Sequence, residues 1–473
     1  MQDSAALPSR TQHRPPVWRR AAALGLAATL AGALPTRAQE APKGVIRDAE
    51  IEQLMRDYAA PIFRVAGINS KAAKIILIGD RTFNAFVANG QKIFINVGAI
   101  MEAKTPNEMI GVLAHETGHM AGGHLAQLRM ELANAQIYSV VGMLASVAAM
   151  ATTTRSLSGK SGGVGMDSRA AMGVMLGPQE LVARSLLAYQ RIEEQAADRS
   201  AVRYLTATGQ SPKGLLETMK RFQSEGLFRT AGVDPYLQSH PLPTERIALL
   251  ESTARASSSW NAVDSPALQA RHDLARAKLV GFIGDTGEIS RRYPIADNSL
   301  AARYARAIQA YRFGRIADAS SQINALIAAQ PGNPYFQELK GQAALEAGRA
   351  NEAVPALRKA SSMAPNGTPI RLMLGHALVS TNNPRDLDEA IRVLKSTISR
   401  EDDNSEAYQF LAMAYDRKGD KAMAQLSAAE ALFGQGRFVE ARTQADRAQK
   451  QFKPGTPGWL KADDILNYRP PQH

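Results

Sequence analysis

Three side chains between residues 115 and 119 (HETGH) have the types and the spacing of a metal-dependent hydrolase site. His115 and His119 are four residues apart, so on a helix both imidazoles lie on one face and can bind the same tetrahedral zinc ion. Glu116 lies about 100° round the helix, where its carboxylate can reach a metal-bound water without binding the metal. Zinc lowers the pKa of such a water, and the glutamate takes its proton for attack on a peptide carbonyl. The alternative is a helix with surface histidines, because a pattern of five residues also arises by chance.

The third ligand is not found next to these histidines. One class of zinc protease continues the pattern with a glycine and a third histidine, and Gly122 stands at the glycine position. The histidine position, however, is occupied by Leu125. His124 comes one residue early, and on a continuing helix it points roughly 180° away from His115. The third ligand must therefore come from another part of the chain.

A second helical pattern at residues 186–205 offers an acidic candidate. Glu194 and Asp198 are one turn apart, which suits a glutamate that binds the metal and an aspartate that hydrogen-bonds a ligand histidine and fixes its tautomer. The alternative is a solvated acidic face, since Glu193 is adjacent and arginines lie nearby. The residues alone leave this choice open.

The elements that position the histidines are predicted from local patterns. An amphipathic helix and a short strand are expected at residues 48–66 and 74–80. Residues 84–98 contain two alternating apolar runs joined at Asn89-Gly90, a strong signal for a β-hairpin. Thr105 then begins the histidine helix as its N-cap, and Glu108 completes a capping box.

The first 38 residues have the pattern of a signal peptide: arginines, an apolar run of about 14 residues, and small residues before Gln39. An N-terminal membrane anchor is the alternative. The 473 residues include no cysteine, so the metal of an exported protein must be held by His, Asp or Glu. The formal net charge is +12, and the excess that remains without the predicted signal peptide is spread out, with no basic run. This argues against a nucleic-acid partner but leaves anionic membrane surfaces open.

Residues 137–176 contain two apolar stretches separated by a glycine- and serine-rich segment. An apolar run of about 15 residues is short for a membrane span. Two interpretations remain: a buried helical hairpin that covers the cleft, or a surface that contacts membrane or a hydrophobic client.

Helical units repeat from about residue 265 onward. Gly314-Arg315 recurs as Gly348-Arg349, 34 positions later, and prolines and alanines repeat with the same interval. This is the period of tetratricopeptide repeats, in which helix pairs stack into a solenoid whose concave face binds peptide or protein.

Four segments together resemble the BepA-like periplasmic zinc metalloproteases of the Ste/HtpX gluzincin type. They are HETGH, EEQAADRSA, SHPLPTERI and NAFVANGQKIFIN, at residues 115–119, 193–201, 239–247 and 84–96. The resemblance extends to the C-terminal repeats and so covers nearly the whole mature chain.

This resemblance implies a role for each candidate residue. Glu194, rather than Glu193, is the third metal ligand, and Asp198 supports a ligand histidine. His240 is a further ligand that can close the site, and Arg246 is a candidate for stabilising the oxyanion. His124 is not a ligand.

The implied fold is mainly α with some β structure (α+β). A gluzincin domain with a small β-hairpin sheet (39–264) follows the signal peptide (1–38) and precedes an α-solenoid of repeats (265–473). The implied function is a periplasmic endopeptidase with one zinc ion per chain and a chaperone-like role. Its implied partners are unfolded or misassembled outer-membrane proteins and, through the repeats, the barrel-assembly machinery. The alternative is a non-proteolytic chaperone or scaffold with a structural or closed zinc site.

Overall fold

The computed structural model describes residues 44–70, 72–88, 91–128, 130–131, 189–226, 240 and 244–470. The predicted signal peptide and the apolar segment at 137–176 lie outside the described residues. No helix in the described ranges has both the length and the apolar character needed to cross a bilayer.

A mixed four-stranded sheet lies near the start of the described chain, with the strand order β1-β2-β4-β3. The strands are β1 (Val45–Ile46), β2 (Lys74–Ile78), β3 (Ala85–Ala88) and β4 (Lys92–Asn96). β3 and β4 pair antiparallel from Ala85↔Ile95 to Ala88↔Lys92, which confirms the predicted hairpin. β2 runs parallel to β4, and β3 therefore forms one edge of the sheet.

Besides a helical stretch at 124–128, the described residues up to position 292 form eight helices. They are α1 (Ala49–Val65), α2 (Val97–Glu102), α3 (Pro106–Gly122), α4 (189–207), α5 (Lys213–Gly226), α6 (Thr244–Arg255), α7 (Pro266–Ile283) and α8 (Thr286–Arg292). Apolar faces of α1, α3, α5 and β4 contribute much of the core, and the other helices of this region add to it.

Helix α3 begins where the sequence predicts and ends earlier than a continuing helix would. The Thr105 hydroxyl accepts a hydrogen bond from the Glu108 backbone N–H, as an N-cap does. The Glu108 carboxylate instead accepts a hydrogen bond from Arg221, 2.8 Å away, so only half of the capping box forms. At the other end Gly123 takes a left-handed conformation (φ +68°), and residues 124–128 form a new helical stretch.

Two glycines allow neighbouring helices to approach α3 closely. A Cβ on Gly118 would lie 2.9 Å from the Ala197 carbonyl oxygen of α4, and a Cβ on Gly111 would lie 2.8 Å from the Leu215 backbone of α5. Both distances are shorter than side chains tolerate, so α4 and α5 can take these positions only because α3 has no side chain there.

Helices α7 and α8 follow the predicted domain boundary, yet they contribute to the core of the first region. Leu279, Val280 and Ile289 belong to the same apolar cluster as α1, α3 and β4. Leu274, on another part of α7, belongs to the first cluster of the repeats. The division at residues 264 and 265 stays a prediction, with α7 in contact with both regions.

The remaining chain is helical, which confirms the mainly α fold with a small sheet. Its helices are α9 (Leu300–Arg312), α10 (Ile316–Ala329), α11 (Pro334–Glu346), α12 (Ala350–Met363), α13 (Thr368–Ser380), α14 (Leu387–Ile398), α15 (Ser405–Lys418), α16 (Lys421–Gly434), α17 (Phe438–Gln449) and α18 (Pro457–Asn467). Gly314 and Gly348 make the same left-handed turn, at φ +74° and +73°. Asn382, 34 residues after Gly348, repeats this conformation at φ +57°, and a short 3-10 helix follows it.

Candidate active site and metal centre

Helix α3 places both predicted histidine ligands on its buried face. His115 is fully buried, and the His119 side chain is 13% exposed. Their Nε2 atoms lie 3.1 Å apart, so the two rings converge on one point as the four-residue spacing predicts. Glu116 is also fully buried, next to this point.

Helix α4 brings Glu194 to the same point because Gly118 permits its close approach. Glu194 Oε2 lies 3.4 Å from His115 Nε2, and Glu194 Oε1 lies 3.3 Å from His119 Nε2. Glu193, the alternative, instead places a carboxylate oxygen 2.5 Å from His124 Nε2. The geometry therefore brings Glu194 to the histidines and turns Glu193 away from them.

His240 completes a group of four donors. Its Nδ1 atom lies 2.9 Å from Glu194 Oε1 and 3.4 Å from His115 Nε2. One donor atom from each of His115, His119, Glu194 and His240 lies within 4.8 Å of the other three. His240 is 5% exposed and its Nε2 atom lies 3.5 Å from Glu116 Oε1.

The chemistry of this group fits a divalent metal ion. Three imidazoles and a carboxylate are donors that such ions bind in proteins. Neither oxygen of the Glu116 carboxylate has a hydrogen-bond partner among the described residues, although both are buried. An unpaired buried carboxylate is costly unless it faces a cation or a water molecule. These four side chains could therefore hold a divalent metal ion.

Asp198 and Arg246 contact two of the predicted metal ligands, His115 and Glu194. Asp198 Oδ1 lies 3.0 Å from His115 Nδ1, the ring nitrogen that points away from the other donors. Arg246 donates to both oxygens of Asp198, at 2.7 and 2.9 Å, and its Nη1 atom lies 2.7 Å from Glu194 Oε2. Arg246 is only 2% exposed, so these two carboxylates hold its guanidinium in a buried position.

Burial and neighbouring charges shift the pKa values of the side chains from α3 in different directions. Burial disfavours protonation of His115, but the carboxylates of Asp198 and Glu194 outweigh it and raise its pKa to about 9. Burial lowers the pKa of His119 to about 4, against the effect of Glu194. Burial also raises the pKa of Glu116, although His240 and His115 oppose the shift. The shift of His115 shows that the carboxylates of Asp198 and Glu194 favour positive charge at that ring.

The pKa values of the two acidic residues on α4 move the other way. Burial would raise the pKa of Glu194, but the nearby His240 and hydrogen bonds from the histidines hold it well below its ordinary value. For Asp198, burial is outweighed by the hydrogen bonds from Arg246 and His115, which lower its pKa. Both side chains therefore remain carboxylates, the form in which such a residue could bind a metal ion or support a ligand.

A cavity of about 170 Å³ opens beside the donors. Glu116, His119, Glu194 and His240 lie on one side of it, and Phe86 and Val87 of the edge strand on another. Arg246 does not line this cavity. Its predicted role at the oxyanion stays a prediction, while its contacts are those of a residue that positions Asp198 and Glu194.

The sequence interpretation missed the contact between His124 and the metal-site histidines. It placed His124 opposite His115 on a continuing helix, but the helix ends at Gly122. His124 Nδ1 consequently lies 2.9 Å from His119 Nδ1. The pair Gly122-Gly123 was the available signal, because glycine after a helix commonly adopts the left-handed conformation that ends it.

The fold and the site define a metallopeptidase, and comparisons with known proteins agree. Residues 46–254 match the family model described as Peptidase family M48, and residues 327–431 match the tetratricopeptide domain of cytochrome c-type biogenesis protein H. Among the relatives of the chain is the Beta-barrel assembly-enhancing protease of Escherichia coli (strain K12), 24% identical over 391 residues, or 80% of this chain and 75% of that protein. The protein of the same name from Yersinia pestis is 23% identical over 389 residues, with the same shares covered.

These matches confirm the resemblance that the sequence motifs indicate. The chain is a metallopeptidase: residues 46–254 are similar to Peptidase family M48, residues 327–431 are similar to a tetratricopeptide domain, and over most of its length the chain is similar to the beta-barrel assembly-enhancing proteases.

Proposed function

We propose that the protein is a periplasmic, zinc-dependent endopeptidase that acts on unfolded or misassembled outer-membrane β-barrel proteins. The observation that carries this proposal is the convergence of His115, His119 and Glu194 beside a buried Glu116, whose carboxylate has no hydrogen-bond partner in the described part of the chain. Imidazole and carboxylate donors in a compact group suit zinc, which binds in tetrahedral geometry and needs no redox chemistry. The names of the relatives support the substrate class.

The residues of the site divide the catalytic work. A bound zinc ion supplies a Lewis acid that activates a water molecule and polarises the scissile carbonyl. Glu116 accepts the proton of the attacking water and returns it to the leaving amine, a task favoured by the raised pKa of its carboxyl. Asp198 holds His115 in the tautomer that leaves Nε2 free to bind metal.

Strand β3 provides the surface along which an extended substrate lies. The Asn96 N–H donates to the Asn84 carbonyl, so pairing with β4 uses the backbone groups of alternate residues starting at Asn84. By this alternation, the N–H and C=O groups of Ala85 and Val87 point away from β4, toward the free edge. A peptide can add to this edge as a further strand, which places its carbonyl groups next to the metal ligands.

The test of the proposed function compares the parent protein with Glu116→Gln. The full chain should bind one zinc ion and cleave an unfolded outer-membrane protein, and the variant should bind the same zinc but lose cleavage by several orders of magnitude. Zinc is measured by metal analysis and cleavage by gel electrophoresis. Asp57→Asn, on the outer face of α1, is the matched control and should cleave like the parent. Equal cleavage by parent and Glu116→Gln would refute the assignment.

A second candidate function is a non-proteolytic chaperone or scaffold with a closed zinc site. The position of His240 favours it, because a fourth protein ligand would leave no place for water. His240 Nε2 also lies 3.3 Å from the carbonyl oxygen of Ala85, one of the edge-strand groups that a substrate would use. We infer that His240 blocks both the metal and the substrate edge at rest, and leaves when a client binds.

The two candidates make opposite predictions for His240→Ala. If His240 is a movable fourth ligand, the variant should keep zinc on three ligands and cleave clients several-fold faster in the absence of other factors. Zinc content and initial cleavage rates, measured for the parent and for His240→Ala, distinguish the two candidate functions. A variant that retains zinc but cleaves every client more slowly would show that His240 serves the substrate or the transition state. A parent and a variant that are both inactive would favour the scaffold.

The repeats supply the proposed contacts with other proteins. The concave surface of a tetratricopeptide solenoid binds peptides, and in the proposed function it recruits clients or docks on the barrel-assembly machinery. Residues 137–176 would either cover the cleft or contact a membrane peripherally. Nucleic acid is not among the proposed partners. The signal peptide at residues 1–38 would deliver the chain to the periplasm.

A further inference from the structure

We propose that His124 and Glu193 form an outer arm that fixes the tautomer of the metal ligand His119. This inference rests on the proposed metal-binding role of His119. It gives the second histidine ligand a support equivalent to the one that Asp198 gives to His115.

The two ring nitrogens of His119 face different partners, and the outer one lies beside His124. Its Nε2 atom faces the other donors, 3.1 Å from His115 Nε2 and 3.3 Å from Glu194 Oε1. Its Nδ1 atom points the opposite way and lies 2.9 Å from His124 Nδ1. The two rings stand nearly perpendicular, at 86°, with their centroids 5.0 Å apart. His124 is therefore close enough to hydrogen-bond the ring nitrogen that the metal does not use.

The second half of the arm joins His124 to helix α4. His124 Nε2 lies 2.5 Å from Glu193 Oε2, and the two side chains are only 12% and 15% exposed. Glu193 is the residue directly before the metal ligand Glu194. Neighbouring residues of one helix thus contact the two sides of His119: Glu194 reaches its metal-facing nitrogen, and Glu193 reaches its outer nitrogen through His124.

The chain turn after α3 makes this arrangement possible. Gly123 has φ +68°, so the backbone reverses and carries His124 back toward His119. The imidazole of His124 then lies directly over Gly122, where any Cβ would overlap the ring. Both glycines of the Gly122-Gly123 pair are needed for this position, one for the turn and one for the space.

Only one set of tautomers for His119 and His124 allows His119 to bind metal through Nε2. To bind metal, His119 must keep the Nε2 lone pair free and carry its proton on Nδ1. That N–H donates to His124 Nδ1, which must then be unprotonated, so the proton of neutral His124 lies on Nε2. The Nε2–H then faces the Glu193 carboxylate, whose Oε2 atom lies 2.5 Å from Nε2 and favours a proton at that position. Without an acceptor at His124, the competing tautomer of His119 becomes more populated, and its lone pair lies on Nδ1, which points away from the other donors.

The test measures the zinc dissociation constant of the full-length protein by competition with a chelator. His124→Ala removes the acceptor and should weaken zinc binding about 10- to 100-fold, the usual effect of losing such a support. The side-chain oxygen of Asn reaches the position of the imidazole Nδ1, whereas that of Gln reaches the position of Nε2. His124→Asn should therefore restore most of the affinity, and His124→Gln should not.

The contrast between Asn and Gln separates orientation from simple packing. A residue that only fills space would be replaced better by Gln, which is closer to His in volume. Glu193→Gln should weaken zinc binding by a smaller factor, and Glu217→Gln, at an exposed position of α5, is the matched control that should have no effect. Unchanged affinity in His124→Ala, or recovery by Gln rather than Asn, would overturn the arm while leaving the proposed function intact. A parent protein that binds no zinc would overturn both.

Discussion

Arg246 shows how one buried cation organises the metal centre at the scale of single residues. Its guanidinium makes two hydrogen bonds to Asp198 and an ion pair with Glu194, and it lies outside the cavity beside Glu116. Arg246 contacts both Glu194, the proposed third ligand, and Asp198, the proposed support of His115. Its replacement should therefore weaken metal binding before it affects the catalytic reaction.

Replacing Arg246 distinguishes positioning from a direct role at the oxyanion. Arg246→Lys cannot make the paired contact with Asp198, so we expect zinc affinity to fall about 10- to 100-fold together with peptidase activity. A residue that acts on the oxyanion alone would lower kcat and leave zinc affinity unchanged. Chelator competition and steady-state kinetics measure the two quantities. Arg199→Lys, an exposed neighbour on α4, is the control.

The site could be predicted from sequence only as far as spacing within one helix determines it. His115, Glu116 and His119 converge because a helix fixes their relative directions. Glu194 could not be chosen over Glu193 by spacing, since both occur on the same helix, and the family resemblance was needed. The contact between Arg246 and Asp198 joins residues 48 positions apart and depends on how two helices pack.

At the scale of elements, the glycines of α3 decide how near its neighbours can come. Gly118 faces α4 and Gly111 faces α5, and in both cases a Cβ would meet backbone atoms rather than a flexible side chain. The two positions are equivalent in packing but differ in what the neighbouring helix carries. Of these two neighbouring helices, only α4 carries predicted metal-site residues.

Alanine at these two positions should separate stability from metal binding. Gly118→Ala pushes α4 away, so we expect a loss of about 1–3 kcal/mol in unfolding free energy and a clear fall in zinc affinity. Gly111→Ala should cost a similar amount of stability and leave zinc affinity near that of the parent. Urea unfolding and chelator competition report the two effects. Equal zinc affinity in both variants would show that the spacing of α3 and α4 does not control the site.

The local elements were predicted well and their pairing was not. The hairpin, the N-cap at Thr105 and the 34-residue repeat have signals within a few residues, and the structure contains all three. The parallel pairing of β2 with β4 and the addition of β1 at the far edge join strands that are separated in sequence. Such pairing depends on the packed core, which no local pattern encodes.

At the scale of the molecule, a buried ion cluster joins the peptidase region to the repeats. Lys278 of α7 lies 2.8 Å from Asp48, 3.5 Å from Glu50 and 3.1 Å from Glu338 of α11. The Tyr304 hydroxyl of α9 donates to Glu50. One ammonium group thus faces three carboxylates in a buried site, and helices from both regions supply them.

This cluster should make the junction sensitive to pH. Burial raises the pKa of both Glu50 and Glu338 from 4.5 to about 7, although Lys278 opposes the shift. A carboxyl whose pKa is higher in the folded state contributes stability that is fully present below pH 4.5 and is lost as the pH rises through about 7. Between pH 5.5 and pH 8, the unfolding free energy from these groups should therefore fall.

The pH dependence is isolated by comparison with Glu338→Gln, which cannot ionise. The parent should lose on the order of 2 kcal/mol more stability than the variant between pH 5.5 and pH 8, because each unit of pKa shift corresponds to about 1.4 kcal/mol. Urea unfolding at the two pH values, followed by circular dichroism, measures the difference. Glu352→Gln, at an exposed position on α12, should behave like the parent. Parallel pH profiles for parent and Glu338→Gln would contradict the role of the cluster.

The open edge of β3 has a consequence for which substrates can be processed. In the proposed function, a segment must donate and accept backbone hydrogen bonds along that edge before it reaches Glu116. A strand in a completed β-barrel has both of its neighbours and no unpaired backbone groups to offer. A strand whose barrel has stalled still has them. If the proposed function holds, the enzyme would thus distinguish finished from unfinished barrels by their unpaired backbone groups, without recognising any particular sequence.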